Sequence, residues 1–251
     1  MKHLVRTWVA LAAVALGAAG APAQPAPDLN ELTERAMKAA AAKVAPSVVQ
    51  IETVGGAEVA TGGPKKGPPG APPAPGIRKG VGPTTGLVVS ADGLVVTSSF
   101  NFVNNPTKKC TVSIPGKGRF VYDVFATDQT RMLTLLRPAD KEKGPTGLPV
   151  PDPLPKKEVE IGAWGLSLGR ALDNNVDRPP SMSVGIVSAT NRIWGKAIQT
   201  DAKTSPVNYG GPLVAIDGRV YGVIVPASSR AEGETAGVDV YDGGIGFAVP
   251  L

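Results

Sequence analysis

The sequence predicts an all-β protein built as two small antiparallel barrels of six strands each, with a short helix in front. Three observations predict this. Of the 251 residues, 42% are hydrophobic and only 19% charged, which is apolar enough for a substantial core. There are 31 glycines and 25 prolines, so the chain must turn often, yet it stays short of the ~25–30% Pro plus Gly that marks low complexity. Short β-branched runs recur in two sets of six, one on each side of a proline-rich connection.

Met1 to Ala23 reads as a secretory signal peptide. Lys2 and Arg6 precede an uncharged run from Trp8 to Ala19, and Ala21-Pro22-Ala23 supplies an A-x-A cleavage site. That run is shorter than the ~20 residues of a membrane-spanning helix, and no later run approaches that length. The expected product is exported, periplasmic or secreted, with no membrane span.

Residues 24–44 form an N-terminal segment containing the helix. Asp28 caps it with Glu31 three residues on, and Leu29, Leu32, Ala36, Ala40 and Val44 follow at helical spacing until Pro46. The first barrel is expected over 45–137, with strands at Val48–Val54, Gly86–Ser90, Leu94–Ser98, Cys110–Ile114, Phe120–Ala126 and Leu133–Arg137. Residues 138–158 are the linker. The second barrel, 159–251, takes strands at Val159–Trp164, Met182–Ala189, Ala197–Thr200, Pro212–Ile216, Val220–Val225 and Ile245–Val249. Inside the first barrel, Gly62 to Gly80 has six Gly, six Pro, four basic residues and no acid. It reads as a disordered, solvated basic loop, tolerated because long surface loops cost little stability.

Composition excludes several chemistries. The one histidine, His3, lies in the segment expected to be removed, so the mature chain holds no imidazole. Cys110 is the one cysteine, which rules out an intrachain disulfide, a thiolate zinc site, a Cys-His pair and a lipidated cleavage site. No calcium-loop pattern occurs, so neither a metal nor a cofactor is expected. The formal charge is +5, and loss of Lys2 and Arg6 lowers it further, too weak a field to argue for nucleic acid.

Six collinear motifs sharpen the picture. They are Ala45-Pro46-Ser47-Val48-Val49, Gly86–Ser90 with Ala91-Asp92-Gly93-Leu94-Val95-Val96-Thr97, Gly185-Ile186-Val187-Ser188-Ala189, Gln199-Thr200-Asp201-Ala202, Gly210-Gly211-Pro212-Leu213, and Gly244-Ile245-Gly246-Phe247-Ala248-Val249-Pro250. In this order the chain resembles the HtrA/Deg group of trypsin-like serine proteases. The resemblance implies a chymotrypsin-type double barrel, with the protease domain alone and no PDZ domain after it.

The family's Ser-His-Asp triad uses imidazole to take the serine proton, a carboxylate to orient the imidazole, and backbone N–H groups to hold the oxyanion. By the resemblance, the histidine place falls seven residues after Gly93, on Phe100. The aspartate place falls on Met132 and the nucleophile place on Tyr209. All three members are replaced. The former oxyanion turn is Val207, Asn208, Tyr209 and Gly210, with β-branched Val207 where the family has glycine. Loss of a triad costs about 10⁶-fold in turnover and one oxyanion donor another ~10²- to 10³-fold. Phe100, Met132 and Tyr209 are expected to pack together as core.

Other residues invite chemistry less strongly. Ser205 and Lys203 have the look of a Ser-Lys dyad but are more commonly turn and wall residues at this spacing. Cys110 is expected to pack as a small buried hydrophobe, and Asp173-Asn174-Asn175-Val176-Asp177 to form a hydrogen-bonded turn rather than a cation site. Three functions stay open. One is a pseudoprotease that binds peptide or protein, for instance an active relative, with Val223, Ile224 and Val225 as the peptide-binding edge implied by the family. The second is a purely structural envelope protein, which Pro226 favours because it offers no N–H for strand addition. The third is an endopeptidase with non-standard catalytic residues. The leader makes a direct prediction: the exported protein starts near Gln24, and an intact mass that retains Met1 would refute it.

Overall fold

The computed structural model describes residues 28–53, 59–60, 76–77, 83–102, 109–226 and 245–251. The leader and most of the 62–80 loop lie outside them. Helix α1 (Leu29–Val44) starts where Asp28, in extended backbone, accepts the Asn30 N–H at 2.9 Å. Glu31–Arg35 and Glu34–Lys38 pair one turn apart on its solvent side, while Ala40 and Val44 are buried.

The chain then enters β1 (Val48–Thr53). A two-stranded ribbon follows, β2 (Val59–Ala60) with β3 (Gly76–Ile77), so Gly76–Ile77 departs from the loop expected there. Next come β4 (Thr84–Val88), β5 (Val95–Ser98), β6 (Lys109–Ile114), β7 (Gly118–Asp128) and β8 (Leu133–Pro138). With β1 they close an antiparallel barrel in the order β1-β4-β5-β8-β7-β6. The second barrel contains β9 (Trp164–Gly169), β10 (Ser181–Asn191), β11 (Ala197–Thr200), β12 (Pro212–Val214), β13 (Val220–Val225) and β14 (Gly246–Pro250). Its order is β10-β11-β14-β13-β12-β9. The result is the double six-stranded barrel of the chymotrypsin type.

One strand sits elsewhere than its composition suggests. Val159–Trp164 was the expected seventh strand, but Lys156–Glu158 is a 3-10 turn and Gly162 has φ +89°, so the chain there is still turning. The strand is Trp164–Gly169 instead. Its glycines and serine disguise a segment whose last five residues are all buried, where small residues allow close approach of neighbouring backbone.

Each barrel has its own core. Val49, Ile51, Val88, Val95, Val112 and Leu136 belong to the first, and Val187, Ile198, Leu213, Tyr221, Ile224 and Ala248 to the second. A third cluster of Val44, Val48, Leu87, Leu166, Leu168, Val214, Val220 and Val223 joins α1 to both barrels. The linker is pinned at two leucines, Leu148 in the first core and Leu154 in the second.

A polar seam crosses this apolar joint. Arg170 is 2% exposed, and its guanidinium donates to Val48 O at 2.7 Å, Ala45 O at 3.2 Å and Arg178 O at 2.5 Å, with Asp173 Oδ2 at 3.4 Å. Burial pulls its pKa down and Asp173 opposes that. Gln50 Nε2 reciprocates, donating to the carbonyls of Arg170, Ala171 and Asp173 at 2.8–3.1 Å. Thr85 Oγ1 accepts the Arg170 N–H at 2.8 Å and donates to Val207 O at 2.7 Å.

The β7–β8 turn is organised by one carboxylate. Asp128 accepts from Thr130 N at 2.9 Å, Thr130 Oγ1 at 2.7 Å, Arg131 N at 3.0 Å and the Arg131 guanidinium at 2.8 Å. These bonds, the Arg131 side chain first, hold its carboxyl well below the usual range. The turn delivers Met132 at φ +57°, where its carbonyl takes the Ser99 N–H at 2.7 Å.

Two predictions follow from these contacts. Arg170→Ala strands the buried Val48 carbonyl, the part-buried bonds to Ala45 and Arg178 and a half-buried Asp173, so urea unfolding should show a loss of about 3 kcal/mol or more. Arg170→Lys should recover only part, because an ammonium cannot reproduce the planar fork. Since the folded Asp128 carboxyl lies below its unfolded value of ~3.9, its contribution is complete above that pH and disappears as pH falls below it. Asp128→Asn should flatten this acid limb in melts between about pH 5 and 2, and an unchanged limb would remove Asp128 as its source.

Candidate functional site

Two turns, one from each barrel, bring Phe100 and Tyr209 together where the barrels meet. At the end of β5, Ser98 Oγ accepts the Phe100 N–H at 3.2 Å and starts the 3-10 turn Ser99–Asn101. The Ser99 and Thr134 hydroxyls meet at 2.9 Å beneath it, and Phe100 is buried.

From the second barrel comes the turn Ser205–Gly210. Ser205 O accepts both the Asn208 N–H at 3.0 Å and the Tyr209 N–H at 3.1 Å. Asn208 staples the turn by accepting from Ser205 N at 2.7 Å and donating to Lys203 O at 3.0 Å and to Ser167 Oγ. Gly210 has φ +84° and donates to Ile224 O at 2.8 Å. A Cβ there would stand 2.1 Å from Thr85 O, so only glycine fits between the barrels. Thr84 Oγ1 donates to Tyr209 O at 3.2 Å, which binds the turn to the first barrel.

Tyr209 is wholly buried, and its ring meets Phe100 edge-on, with centroids 5.2 Å apart and planes at 71°. This is the arrangement aromatic quadrupoles prefer, worth about 0.5–1.5 kcal/mol beyond burial. Around the pair lie Val187, Ile198, Ala202, Leu213 and Ile224 of the second core. Met132 departs from the expected three-residue cluster, packing instead with Val225, Val249, Leu133 and Phe247. The left-handed turn that carries Met132 directs it there.

Val207 does not adopt a left-handed backbone. The turn has closed instead, with the Val207 N–H on Ser205 Oγ at 3.4 Å and the Tyr209 N–H on Ser205 O. The donors an acyl-transfer site would aim at an oxyanion are engaged internally.

The remaining sequence candidates have ordinary settings. Val223, Ile224 and Val225 are fully buried, and β13 is paired with β12 on one side and β14 on the other. The β14 ladder covers all three, the β12 ladder reaches only Val223, and the Gly210–Gly211 backbone bonds Ile224. Ser205 Oγ takes its hydrogen bond from an amide, and Lys203 O accepts from Ser183 Oγ at 3.0 Å. Burial pushes the Cys110 thiol up to about 12, which keeps it protonated and unreactive. In the 173–177 turn, Asp173 faces Arg170 while Asp177 accepts the Gly116 N–H at 2.8 Å. Sequence reasoning missed Arg170 and Thr85. A lone arginine after a Gly/Ser-rich run carries no local sign that it is buried.

The comparisons with known proteins agree with this architecture. A family model described as a trypsin-like peptidase domain matches residues 84–223. The protein named "Probable periplasmic serine endoprotease DegP-like" of Chlamydia pneumoniae is 30% identical over 172 residues, covering 66% of this chain and 31% of that protein. The Synechocystis protein HhoB, also named as a serine protease, is 29% identical over 83% of this chain and 49% of its own. The mitochondrial serine protease HTRA2 of Drosophila persimilis is 30% identical over 66% of this chain and 36% of its own. The chain thus spans about a third to a half of the length of these relatives. Together with the two closed barrels, these matches show that the chain belongs to the trypsin-like peptidase domain family and is of the HtrA/Deg type.

Proposed function

We propose that this protein is an exported pseudoprotease, a trypsin-fold module without peptidase activity that acts by binding a peptide or protein, such as an active relative. The observation that carries this reading is the buried Phe100–Tyr209 pair, at 5.2 Å, standing where the family resemblance puts base and nucleophile. A phenyl ring cannot accept a proton, so Phe100 cannot serve as the base that an acyl-transfer nucleophile needs. The single histidine of the sequence is His3. Closure of the Ser205–Gly210 turn adds support, since an oxyanion would have to displace Ser205 O from the Tyr209 N–H.

The leader pattern and the periplasmic name of the Chlamydia relative support export. Among the described residues no helix is long and apolar enough to cross a membrane. A purely structural envelope role is the second reading, favoured by the complete burial of Val223, Ile224 and Val225. Partner binding would then have to use another surface. Capture of a defined peptide or protein from envelope extract separates the two.

The peptidase question has a direct test. The purified chain should leave an unstructured protein substrate intact and resist a serine-reactive phosphonate. The triple variant Phe100→His, Met132→Asp, Tyr209→Ser should remain nearly inactive, because Val207 and the closed turn still misplace the oxyanion donors. Adding Val207→Gly should raise the rate at least ~10-fold, within the worth of one donor. Robust cleavage by the unmodified protein would overturn the reading. Equal rates in two folded variants, checked by their melting, would show that the site is misassigned.

A further inference from the structure

The turn joining β10 to β11 keeps a tryptophan in solvent at the expense of backbone strain. Asn191, Ile193, Trp194 and Gly195 have φ of 59°, 48°, 53° and 81°. The turn closes through the Arg192–Ala197 bridge and the Lys196 N–H on Ile193 O at 3.2 Å. Tight turns of this hand favour Asn-Gly, so a β-branched Ile followed by Trp is an outlier that costs stability. Trp194 is 92% exposed, so packing inside the fold does not offset that cost.

Cations surround the tip. Arg192 and Lys196 belong to the turn, Lys156 Nζ donates to Gly195 O at 2.8 Å, and Lys157 is beside it. Of the acids on that neighbouring segment, Glu158 is paired with Arg219 at 2.9 Å, which leaves Glu160. Among the described residues of these two segments, four cations stand against the one remaining acid, Glu160.

We propose that this hairpin is a membrane-surface contact, in which Trp194 inserts at the headgroup boundary of an anionic phospholipid bilayer. Lys156, Lys157, Arg192 and Lys196 lie over the headgroups. A protein partner would need a pocket fitted to a projecting indole. A bilayer interface needs none, and indole prefers that depth, with the ring apolar and the N–H wet. The four cations match the negative surface of anionic lipid. One aromatic and four charges give reversible, salt-sensitive association rather than permanent anchoring. This inference is independent of whether the protein cleaves peptides.

The test is sedimentation of the purified exported protein with vesicles of phosphatidylglycerol and phosphatidylethanolamine, against vesicles of phosphatidylcholine. The protein should bind the anionic vesicles and leave them at high salt. Trp194→Ala should weaken binding roughly tenfold or more, and neutralising any one of the four cations about fivefold. Replacing Ile193-Trp194 by Asn-Gly should weaken binding at least as much as Trp194→Ala while raising the melting midpoint by roughly 2–4 °C, which separates loss of contact from loss of fold. No binding to anionic vesicles, or equal binding by Trp194→Ala, overturns the proposal. Self-association that Trp194→Ala abolishes also overturns it, by making a second copy the occupant.

Discussion

The relation between the two barrels depends on one buried cation. Apolar packing of Val48, Leu87, Leu166 and Val214 joins them, but hydrophobic burial is non-directional and tolerates sliding. Arg170 removes that freedom. Its planar fork matches carbonyls at the joint between α1 and β1, so the second barrel grips the strand by which the chain enters the first. Gln50 returns the grip in the opposite direction. A desolvated guanidinium is tolerable only when such acceptors surround it, so the same residue is both an orienting device and a point of weakness.

The cleft inherits its shape from that alignment. Thr85 sits against Arg170 on one side and Val207 on the other, and Gly210 threads between them with no room for a side chain. With the turn held so closely, a large residue at position 209 can go only inward, and Tyr209 meets Phe100 there. An acyl-transfer cleft keeps donors waiting for a charge that appears only in the transition state. Here the Val207 N–H rests on the Ser205 hydroxyl and the Tyr209 N–H on the Ser205 carbonyl.

The two left-handed turns show how differently strain can be housed. At Met132 the strained backbone is enclosed by Asp128, which ties the preceding residues, and by Ser99, which takes the carbonyl. Around Trp194 the backbone closes on itself but the indole remains in solvent. Strain repaid by contacts belongs to the fold, whereas strain that ends in an exposed aromatic points outward.

What the amino-acid sequence determined by itself was whatever depends on near neighbours. Asp28 capping, Pro46 stopping the helix, and β-branched runs such as Val48–Thr53 and Val220–Val225 are local patterns that fix element type. The collinear motifs extended this legibility to the fold. Trp164–Gly169 escaped, because a glycine- and serine-rich strand acquires its preference only when both faces are covered. Contacts across the cleft escaped for a related reason. Arg170 and Val48 are 122 residues apart, as are Thr85 and Val207, and no periodicity spans such distances. The resemblance anticipated that Phe100 and Tyr209 pack together; only tertiary structure decided that Met132 turns away to Val225 and Val249, and that the Val207 and Tyr209 amides close on Ser205. These outcomes follow from the docking angle of two complete barrels, a property that no segment of either one possesses.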